Sequence, residues 1–396
     1  MNRLNRLLRE ILLGPAYFYH KRLIRLSKKW TESHIDKYQN LKIHKVNNTE
    51  TNKEIIYNNL SKFTKRSFWV ILKKSRTGGT TGEPFVFYQD IFFTRQKERA
   101  YIFDIWKDVG YKAFDYRIIV RGNNPRKGIH YNFFENALII SQDYFCESNK
   151  KYLLKVFSKK PFYLHTYPSS LIFLIQFWGI ELFKSFPIRG VMAGSESFPA
   201  SQMKWFKSQF KIPVSHWYGH SEYAILGRYC DKCNEFHFYP TYGKASLKKT
   251  ENYYQLMADS FNKYGTTFNN YFTGDYAIPT VSKCDSDNFF KVKSIIGREQ
   301  EFVFDKNGNQ KAFGPYLFGI HSEFWEMVKK IQFEQRKKGY LLIKYIPQHE
   351  YDINILKNFL KNRFKEFHLE FKEVKEIYKT KSGKHKYFIQ KIKTTL

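Results

Sequence analysis

The most informative segment of the chain is a loop rich in glycine and threonine, Thr77-Gly78-Gly79-Thr80-Thr81-Gly82-Glu83-Pro84, which precedes a strand-like run, Phe85–Tyr88. Glycines let the backbone approach an anion closely and turn its N–H groups toward it, and threonine hydroxyls add donors for phosphate oxygens. The loop differs from a Walker loop, because no Gly-Lys-Ser/Thr sequence follows. We expect a phosphate-binding loop, and the alternative at this point is a surface turn.

Around this loop the sequence alternates between two kinds of segment. Short β-branched and aromatic runs alternate with helical stretches between residues 73 and 296, which is typical of an α/β fold. The predicted strands include Arg117–Arg121 and Ala137–Ser141, and the predicted helices include Ser148–Phe157 and Ser169–Phe183.

The composition changes after Gly297-Arg298 and becomes very rich in lysine. A strand (Tyr340–Tyr345), a helix (Asp352–Phe364) and a last strand pair around Phe371–Gln390 indicate a small α+β domain. We therefore divide the chain into a helical segment packed on the large domain (1–60), a large domain (61–298) and a small domain (299–396).

Five further short motifs follow the phosphate loop in order. They are Gly194-Ser195-Glu196, Tyr218-Gly219-His220-Ser221-Glu222, Thr273-Gly274-Asp275, Gly297-Arg298 and Ser382-Gly383-Lys384. With these motifs the chain resembles the adenylate-forming superfamily, and within it the branch of phenylacetate–coenzyme A ligases and CapK-like capsular polysaccharide proteins. The resemblance implies a large N-terminal α/β domain of the adenylate-forming type and a small mobile C-terminal α+β domain.

The resemblance also implies a reaction. The chain would activate a carboxylic acid with ATP, form an acyl-adenylate and release pyrophosphate, and then transfer the acyl group to a thiol (coenzyme A or a carrier) or to an amine. The CapK-like branch suggests surface or capsular polysaccharide biosynthesis. The alternative is a non-catalytic descendant of the same fold that binds a nucleotide or a polyanion. Intact Asp275, Arg298 and Lys384 favour the enzyme.

By the same resemblance, each motif has a role. Asp275 would bind the ribose hydroxyls, Arg298 would add a donor nearby, and Lys384 would be the catalytic lysine at the α-phosphate. Tyr218 would stack on the adenine, with Gly219 beside it, and Glu222 would bind Mg²⁺. The triphosphate would bind the loop residues Thr77, Gly78, Gly79, Thr80, Thr81 and Gly82, Thr80 being catalytic as well, and the adenine side would be formed by Gly194, Ser195 and Glu196.

Each assignment has a plain alternative. Asp275 could cap a turn, Glu222 could pair with a lysine, and Lys384 could be one solvated lysine among many. Two positions depart from the family pattern: Glu83 stands where many relatives have lysine, and Glu301 stands at the hinge position. The hinge bears on acyl transfer, because the small domain rotates between the two half-reactions.

The acid would bind next to the Tyr-Gly-x-x-Glu motif. The resemblance points to Tyr167, Ser195 and His220 as the residues that line this pocket. Tyr167-Pro168 is equally well interpreted as a turn before the helix at Ser169. The sequence does not identify the acid.

Four residues predict a zinc site. Cys230, Cys233 and His237 form a Cys-x-x-Cys-x-x-x-His cluster, and Cys284 lies between the Thr-Gly-Asp motif and the hinge. Three thiolates and an imidazole suit tetrahedral Zn²⁺ without an open position, hence a structural site. The alternative is ordinary thiols beside an unrelated histidine, and Cys146 is predicted to be a core residue.

The formal net charge of +31 predicts attraction to polyanions, or else reflects heavy lysine usage throughout the chain. No recognition motif supports nucleic-acid binding. The first helix places Leu4, Leu7, Leu8, Ile11 and Leu12 on one stripe beside arginines, which predicts either peripheral binding to an anionic membrane or docking on the protein's own core. We expect a cytoplasmic setting without a membrane span, and a homodimer is compatible with the sequence.

Overall fold

The structure is a computed structural model. It describes residues 3–43, 49–76, 85–121, 128–250, 254–282, 284–298, 302–313, 316, 327–347, 352–378 and 386–392.

The helices within these residues are α1 (Arg3–Ile11), α2 (Pro15–Ser27), α3 (Glu32–Lys42), α4 (Lys53–Asn58), α5 (Leu60–Phe63), α6 (Phe93–Trp106), α7 (Glu147–Ser158), α8 (Pro168–Trp178), α9 (Ile180–Ser185), α10 (Ala200–Phe210) and α11 (Ile353–Arg363). The strands are β1 (Thr64–Lys65), β2 (Leu72–Arg76), β3 (Val86–Asp90), β4 (Arg117–Arg121), β5 (Ile129–Asn132), β6 (Ala137–Ser141), β7 (Phe162–Thr166), β8 (Ile188–Gly194), β9 (Val214–Gly219), β10 (Leu226–Cys230), β11 (Glu235–Phe238), β12 (Gly243–Lys249), β13 (Tyr254–Ser260), β14 (Gly265–Thr266), β15 (Tyr271–Pro279), β16 (Phe290–Arg298), β17 (Phe302–Phe304), β18 (Gln310–Ala312), β19 (Val328–Gln335), β20 (Tyr340–Pro347), β21 (His368–Glu373) and β22 (Phe388–Gln390).

The architecture is built on a large mixed sheet with the strand order β12-β13-β15-β16-β11-β10-β9-β8-β7-β4-β6-β5. The strands from β9 to β6 in this order run parallel, and the rest pair antiparallel. The parallel strands read as apolar runs such as Ile118–Val120, because helices cover both of their faces. The expected α/β fold class is confirmed.

Each face of the parallel strands packs against its own set of helices. One face carries a core formed with α7, α8, α9 and α10, in which Phe157, Leu174 and Phe206 are fully buried. The other face packs against α2 and α6 through aromatic residues such as Tyr101 and Trp106. This second core includes Tyr163 of β7 and Met192 of β8, with Trp217 of β9 packed against it, so α6 supports the strands that lead to the expected site.

The last part of the chain forms a four-stranded sheet, β21-β20-β19-β22, against which α11 packs. Asp352 caps α11, because its side chain accepts a hydrogen bond from the backbone N–H of Asn354. The prediction of a last strand pair is wrong in its pairing. Both β21 and β22 lie at the edges of this sheet and run parallel to β20 and β19, respectively, so the two never meet.

The predicted helix Ser169–Phe183 is also wrong in its length. The structure divides this stretch into α8 and α9 at Gly179, whose φ of 78° and ψ of 154° lie outside the helical region. Strands β4 and β6 have the predicted bounds, Arg117–Arg121 and Ala137–Ser141. The apolar pattern of the sequence correctly predicted whether each of these segments is a helix or a strand. It did not predict the break at Gly179, because the apolar residues continue on both sides of this glycine.

The first helix packs on the protein through its polar side. Arg6 pairs with Asp115, and the guanidinium of Arg9 lies 5.0 Å from the centre of the Phe133 ring. The leucine stripe of α1 therefore faces solvent, and the alternative in which this stripe docks on the core is wrong. None of the described helices is long and apolar enough to cross a lipid bilayer.

Candidate functional site

Two of the predicted motifs lie side by side at one edge of the parallel sheet. Gly194 ends β8 and Gly219 ends β9, and these strands are parallel neighbours. A Cβ atom at Gly194 would lie 2.5 Å from the Trp217 ring, so only glycine fits between the strands at this point. Ligands of open α/β sheets bind at this carboxyl edge, which is therefore the candidate site.

A hydrogen bond joins two motifs that are distant in sequence. The hydroxyl of Tyr218, on β9, donates to Oδ2 of Asp275, on β15, at 2.6 Å. Three strands separate β9 from β15 in the sheet order, so the antiparallel part of the sheet must curl to bring them together. Burial raises the pKa of Tyr218, and the charge of Asp275 adds to this shift, so the tyrosine stays protonated as a donor.

The Thr-Gly-Asp turn is fixed by the threonine. Oγ1 of Thr273 donates to the backbone carbonyl of Leu256 at 2.9 Å and accepts from the backbone N–H of Asp275 at 3.2 Å. Gly274 has a φ of 85°, a backbone conformation that favours glycine. Asp275 therefore directs its carboxylate toward Tyr218 and does not cap the turn.

Glu222 lies at the centre of a buried polar network. One carboxylate oxygen lies 3.2 Å from Nζ of Lys53 and accepts from the hydroxyl of Tyr271 at 3.3 Å, and the other lies 3.1 Å from Nδ1 of His220. Burial raises the pKa of Glu222, but the hydrogen bond with His220 and the charge of Lys53 outweigh it, and the pKa lies well below its ordinary 4.5. The alternative pairing with a lysine is thus what the structure contains.

His220 directly follows Gly219 at the end of β9 and uses only one of its two ring nitrogens within the described residues. Nε2 is buried and has no hydrogen-bond partner among the described residues, while Nδ1 is held by Glu222. Such a nitrogen offers a lone pair when the ring is neutral and an N–H when it is protonated. A buried polar atom of this kind is suited to bind a polar group of a ligand.

Glu196 and Tyr167 mark the start of α8. Oε2 of Glu196 accepts a hydrogen bond from the backbone N–H of Ser169 at 3.0 Å, which satisfies one of the free donors at the helix N-terminus. Tyr167 is the residue immediately before α8, in extended conformation. Ser195, between Gly194 and Glu196, has a φ of 68° and belongs to the same edge.

The C-terminal sheet β21-β20-β19-β22 contacts the helices of the large sheet at α8. Nε2 of Gln176, on α8, donates to the backbone carbonyl of Val328 at 3.3 Å, and Nζ of Lys330 lies 5.9 Å from the centre of the Phe173 ring. A cavity at this contact is lined by residues from both sides, including Ser169, Gln202, Ile331 and Tyr387. Tyr387 therefore lies beside the first turn of α8.

The four residues predicted to bind zinc are brought together. One ligating atom each of Cys230, Cys233, His237 and Cys284 lies within 4.8 Å of all the others. Sulfur atoms in tetrahedral zinc sites with bonds of about 2.3 Å are about 3.8 Å apart, and the sulfurs of Cys230 and Cys284 are 4.0 Å apart. Cys146 is exposed, before the first turn of α7, so its prediction as a core residue is wrong.

Asp287 and Arg228 complete this cluster and were not found from the sequence. Oδ1 of Asp287 lies 2.9 Å from Nδ1 of His237, and Oδ2 accepts from Arg228 at 2.6 Å. This contact leaves Nε2 of His237 directed at the cysteines, 3.1 Å from Sγ of Cys233. A carboxylate in that position orients a histidine for metal binding. The only signal in the sequence was that Asp287 closely follows Cys284.

Several predicted residues lie outside the described part of the chain. They are Thr77, Gly78, Gly79, Thr80, Thr81, Gly82, Glu83, Glu301 and Lys384, together with the side chain of Arg298. The backbone of Arg298 is described: it pairs with Asp275 across β15 and β16, so two more motifs are adjacent.

Comparison with known proteins supports the fold. The structure of 2-hydroxyisobutyryl-CoA ligase in the postadenylation state, with R3-HIB-AMP, is similar over 97% of this chain and 88% of that one, with a TM-score of 0.63 and 12% identity. The thioesterification state of that ligase, with 2-HIB-AMP and CoA, gives a TM-score of 0.51 over 97% and 87% of the two chains, at 13% identity.

A third solved structure, the acyl acid amido synthetase AtGH3.15 in complex with 2,4-DB, has a TM-score of 0.52 at 11% identity and covers 83% of this chain and 80% of that one. No protein-family model matches the sequence, and no curated protein matches it either. The chain therefore has the fold of adenylate-forming enzymes, and its activity is inferred from its own residues.

Proposed function

We propose that this chain is an AMP-forming acid ligase. The observation that carries the proposal is the hydrogen bond between Tyr218 and Asp275, which joins the Tyr-Gly-x-x-Glu and Thr-Gly-Asp motifs at the carboxyl edge of the sheet. Gly194, Gly219 and the backbone of Arg298 lie around the same edge. Motifs that are scattered through the sequence thus form one site on a fold shared with enzymes that make acyl-adenylates.

The reaction has two steps. A carboxylate oxygen of the acid attacks the α-phosphorus of ATP, the bond from this phosphorus to the α,β-bridging oxygen breaks, and pyrophosphate leaves. A thiol or amine then attacks the acyl carbonyl carbon, its proton is lost, and AMP leaves. Both steps accumulate negative charge on oxygen, so positioning and electrostatic stabilisation are the main tasks of the protein.

The residues of the site suit these tasks. Asp275 offers a carboxylate for the ribose hydroxyls, and Tyr218 holds that carboxylate in place while its ring faces the adenine. His220 would bind the acid through Nε2, near Tyr167 and Ser195. The Gly/Thr loop would hold the triphosphate, and Lys384 would neutralise charge at the α-phosphate. Its arrival in the site requires the small domain to be docked.

The arrangement of the two domains supports this role for Lys384. Tyr387, in the segment before β22, lines the cavity beside Ser169 at the start of α8, so this part of the chain lies next to the candidate site. The chain is also more similar to 2-hydroxyisobutyryl-CoA ligase in the postadenylation state than in the thioesterification state. We infer that the arrangement in this structure precedes acyl transfer.

Mg²⁺ fits the proposed site through Glu222. This ion takes one or two carboxylates together with substrate phosphate oxygens, and when bound it would offset the charge of the triphosphate. In this structure Lys53 and His220 engage both oxygens of Glu222, so Lys53 would have to give up its contact. Lys53 would then contact a phosphate group of ATP in place of the carboxylate of Glu222.

The acceptor and the pathway are the finer part of the proposal. Coenzyme A and an amine are both compatible with this fold, since it occurs in acyl-CoA ligases and in an acyl acid amido synthetase. The phenylacetate–coenzyme A ligase and CapK-like motifs suggest a role in surface polysaccharide biosynthesis. A descendant that only binds nucleotide or polyanion is the alternative, and a homodimer remains compatible with either function.

The test is pyrophosphate release with ATP and Mg²⁺ across a panel of carboxylic acids. We expect release that depends on the acid, that is lost in Lys384→Ala, and that is unchanged in the matched variant Lys375→Ala, an exposed lysine of the small domain. ATP affinity should be nearly the same in all three proteins, because the role of Lys384 is confined to the transition state. ATP binding without release for any acid would favour the non-catalytic alternative.

We also propose that Cys230, Cys233, His237 and Cys284 bind a structural Zn²⁺. Their donors match tetrahedral zinc in number and type, and Asp287 provides the contact that orients the histidine. Bound zinc would join β10, β11 and the segment before β16, which carries the hinge. The cluster would thus stabilise the strands that bring Asp275 to Tyr218 without taking part in the reaction.

Metal analysis of protein purified without chelator tests the zinc proposal. We expect about one zinc per chain in the wild type and in Cys146→Ser, and strong loss of zinc in Cys233→Ser. The exposed Cys146 should react with a thiol reagent at once, and the other three should react only after chelation. Equal zinc content in the two serine variants would contradict the site.

A further inference from the structure

The first helix exposes the wrong face for a helix that only packs on its own protein. Leu7, Leu8, Ile11 and Leu12 are all more than half exposed, whereas Arg6 and Arg9 contact the large domain. An amphipathic helix normally buries its apolar stripe. In α1 the cationic side contacts the rest of the protein, and the apolar side is exposed within the described part of the protein.

A second apolar surface lies on the segment between β1 and β2. Phe68 is 94% exposed and Trp69 is 86% exposed, with their ring centres 5.2 Å apart. Ile71 is exposed next to them, and its backbone carbonyl accepts a hydrogen bond from the N–H of Ile91 at 3.3 Å. The exposed Phe92 follows directly, so this aromatic surface extends to the start of α6.

The first turns of α6 connect the two surfaces. The side chain of Gln96 accepts a hydrogen bond from the backbone N–H of Ala16, at the junction of α1 and α2, at 3.1 Å. The backbone N–H of the same residue donates to the carbonyl of Phe92, which lies one turn earlier in the chain, at 3.2 Å. The leucine stripe of α1 and the aromatic surface are therefore joined through a single helical turn.

The charge around both surfaces is predominantly positive. Residues 1–31 contain eight Lys or Arg and one Glu, and residues 55–76 contain six Lys or Arg and no Asp or Glu. Around the aromatic surface, Arg66, Lys73, Lys74 and Arg76 are exposed. Apolar and aromatic side chains within a cationic fringe are complementary to a membrane surface that carries anionic lipid. Tryptophan is itself favoured at the membrane–water interface.

We propose that the outward face of α1 and the Phe68–Ile71 surface bind together to the surface of a membrane that contains anionic lipid. The leucines and aromatic rings enter the boundary between headgroups and acyl chains, and the lysines and arginines contact the headgroups. Membrane binding of this kind does not depend on the proposed reaction. It would hold the enzyme at a membrane on which an acyl acceptor could lie.

Flotation with lipid vesicles tests the docking surface in the full-length protein. The probes are vesicles of phosphatidylcholine alone and vesicles with about one-third phosphatidylglycerol, at about 0.1 M salt. We expect binding to the anionic vesicles only. Binding should fall at least about tenfold in Leu8→Ser/Ile11→Ser and in Trp69→Ser, because each variant removes apolar area that enters the bilayer.

Two matched controls make the result specific. Ile355→Ser and Tyr378→Ser remove exposed apolar side chains from the small domain and should leave flotation unchanged. Acid-dependent pyrophosphate release, where it occurs, should be the same in all variants without lipid. Equal flotation of Leu8→Ser/Ile11→Ser and the wild type would overturn the proposal, because it would mean that charge alone holds the protein on the vesicles. Absence of binding, with loss of a dimer in the same variants, would instead assign the surface to a second copy of the chain.

Discussion

At the scale of single residues, Tyr218 and Asp275 depend on each other. A carboxylate with little access to water needs hydrogen-bond partners, and the hydroxyl of Tyr218 supplies one at 2.6 Å. The same bond fixes the plane of the tyrosine ring. One contact therefore orients two groups that the proposed function assigns to the ribose and the adenine.

Asp275→Asn should weaken ATP binding by about ten- to a hundredfold, because hydrogen bonds to a charged group contribute about 1.5–3 kcal/mol. Tyr218→Phe should have a smaller effect in the same direction, since it frees the carboxylate without removing it. Calorimetric titration with ATP measures both. Asp143→Asn, at an exposed position, is the control and should bind ATP as the wild type does. Unchanged affinity in Asp275→Asn would remove the ribose assignment.

Glu222 should make stability depend on acid pH. A carboxylate whose pKa is lowered on folding stabilises the protein above its ordinary pKa of 4.5, and this stabilisation is lost as the pH falls further toward the folded value. Glu222→Gln should therefore be less stable than the wild type near neutral pH, by about 1–3 kcal/mol. The difference should shrink below about pH 4.5.

Denaturant unfolding at a series of pH values measures this effect, with the exposed Glu147→Gln as control. The control should stay close to the wild-type curve, because Glu147 is exposed and its ion pair with Lys150 at the surface contributes little to stability. A constant difference between Glu222→Gln and the wild type down to strongly acidic pH would contradict the assigned network.

Of the motifs that the sequence singled out, the structure brings Tyr218 and Asp275 into contact, but the sequence did not mark the residues that support them. Tyr218, Asp275 and Glu222 belong to recognisable motifs, so the sequence predicted a role for each of them. Lys53 lies 169 positions before its partner Glu222, and nothing local marks it. Asp287 acts on His237 only because β11 and β16 are neighbours. Such partners are set by strand pairing, which a single sequence does not reveal.

At the scale of secondary-structure elements, Gly179 decides how the α8 region is built. Its φ of 78° and ψ of 154° lie in a region that is open essentially only to glycine. The chain therefore turns between α8 and α9, and both helices bury apolar residues in one core. The sequence predicted β4 and β6 well because their apolar runs are bounded, whereas the apolar run of α8 continues past the turn.

Gly179→Ala should lower the free energy of unfolding by about 1–3 kcal/mol, through backbone strain alone. The structure leaves open space where the new methyl group would lie, so no clash adds to the effect. Thermal and denaturant unfolding measure the loss, with Lys151→Ala on the exposed side of α7 as the control. An unchanged midpoint in Gly179→Ala would mean that α8 and α9 can join as one helix.

At the scale of the whole molecule, α8 connects the site to the small domain. Its first turn receives the carboxylate of Glu196, and its later turns contact β19 through Gln176 and Phe173. The helix that begins at the candidate site therefore also contacts the C-terminal sheet. From the sequence we expected a large and a small domain. The sequence did not indicate these contacts, because their partners lie far apart in the chain.

Gln176→Ala combined with Lys330→Ala should therefore separate the two half-reactions. Loss of about 1 kcal/mol of docking energy would depopulate the arrangement in which Lys384 reaches the α-phosphate, so acyl-adenylate formation should slow by about fivefold. Transfer from preformed acyl-adenylate should not slow, because that step requires the small domain to leave this position. Single-turnover measurements of each step separate the effects, and Lys338→Ala, an exposed lysine on the same domain, should change neither. Equal slowing of both steps in the double variant would show that α8 acts through the stability of the large domain and not through domain docking.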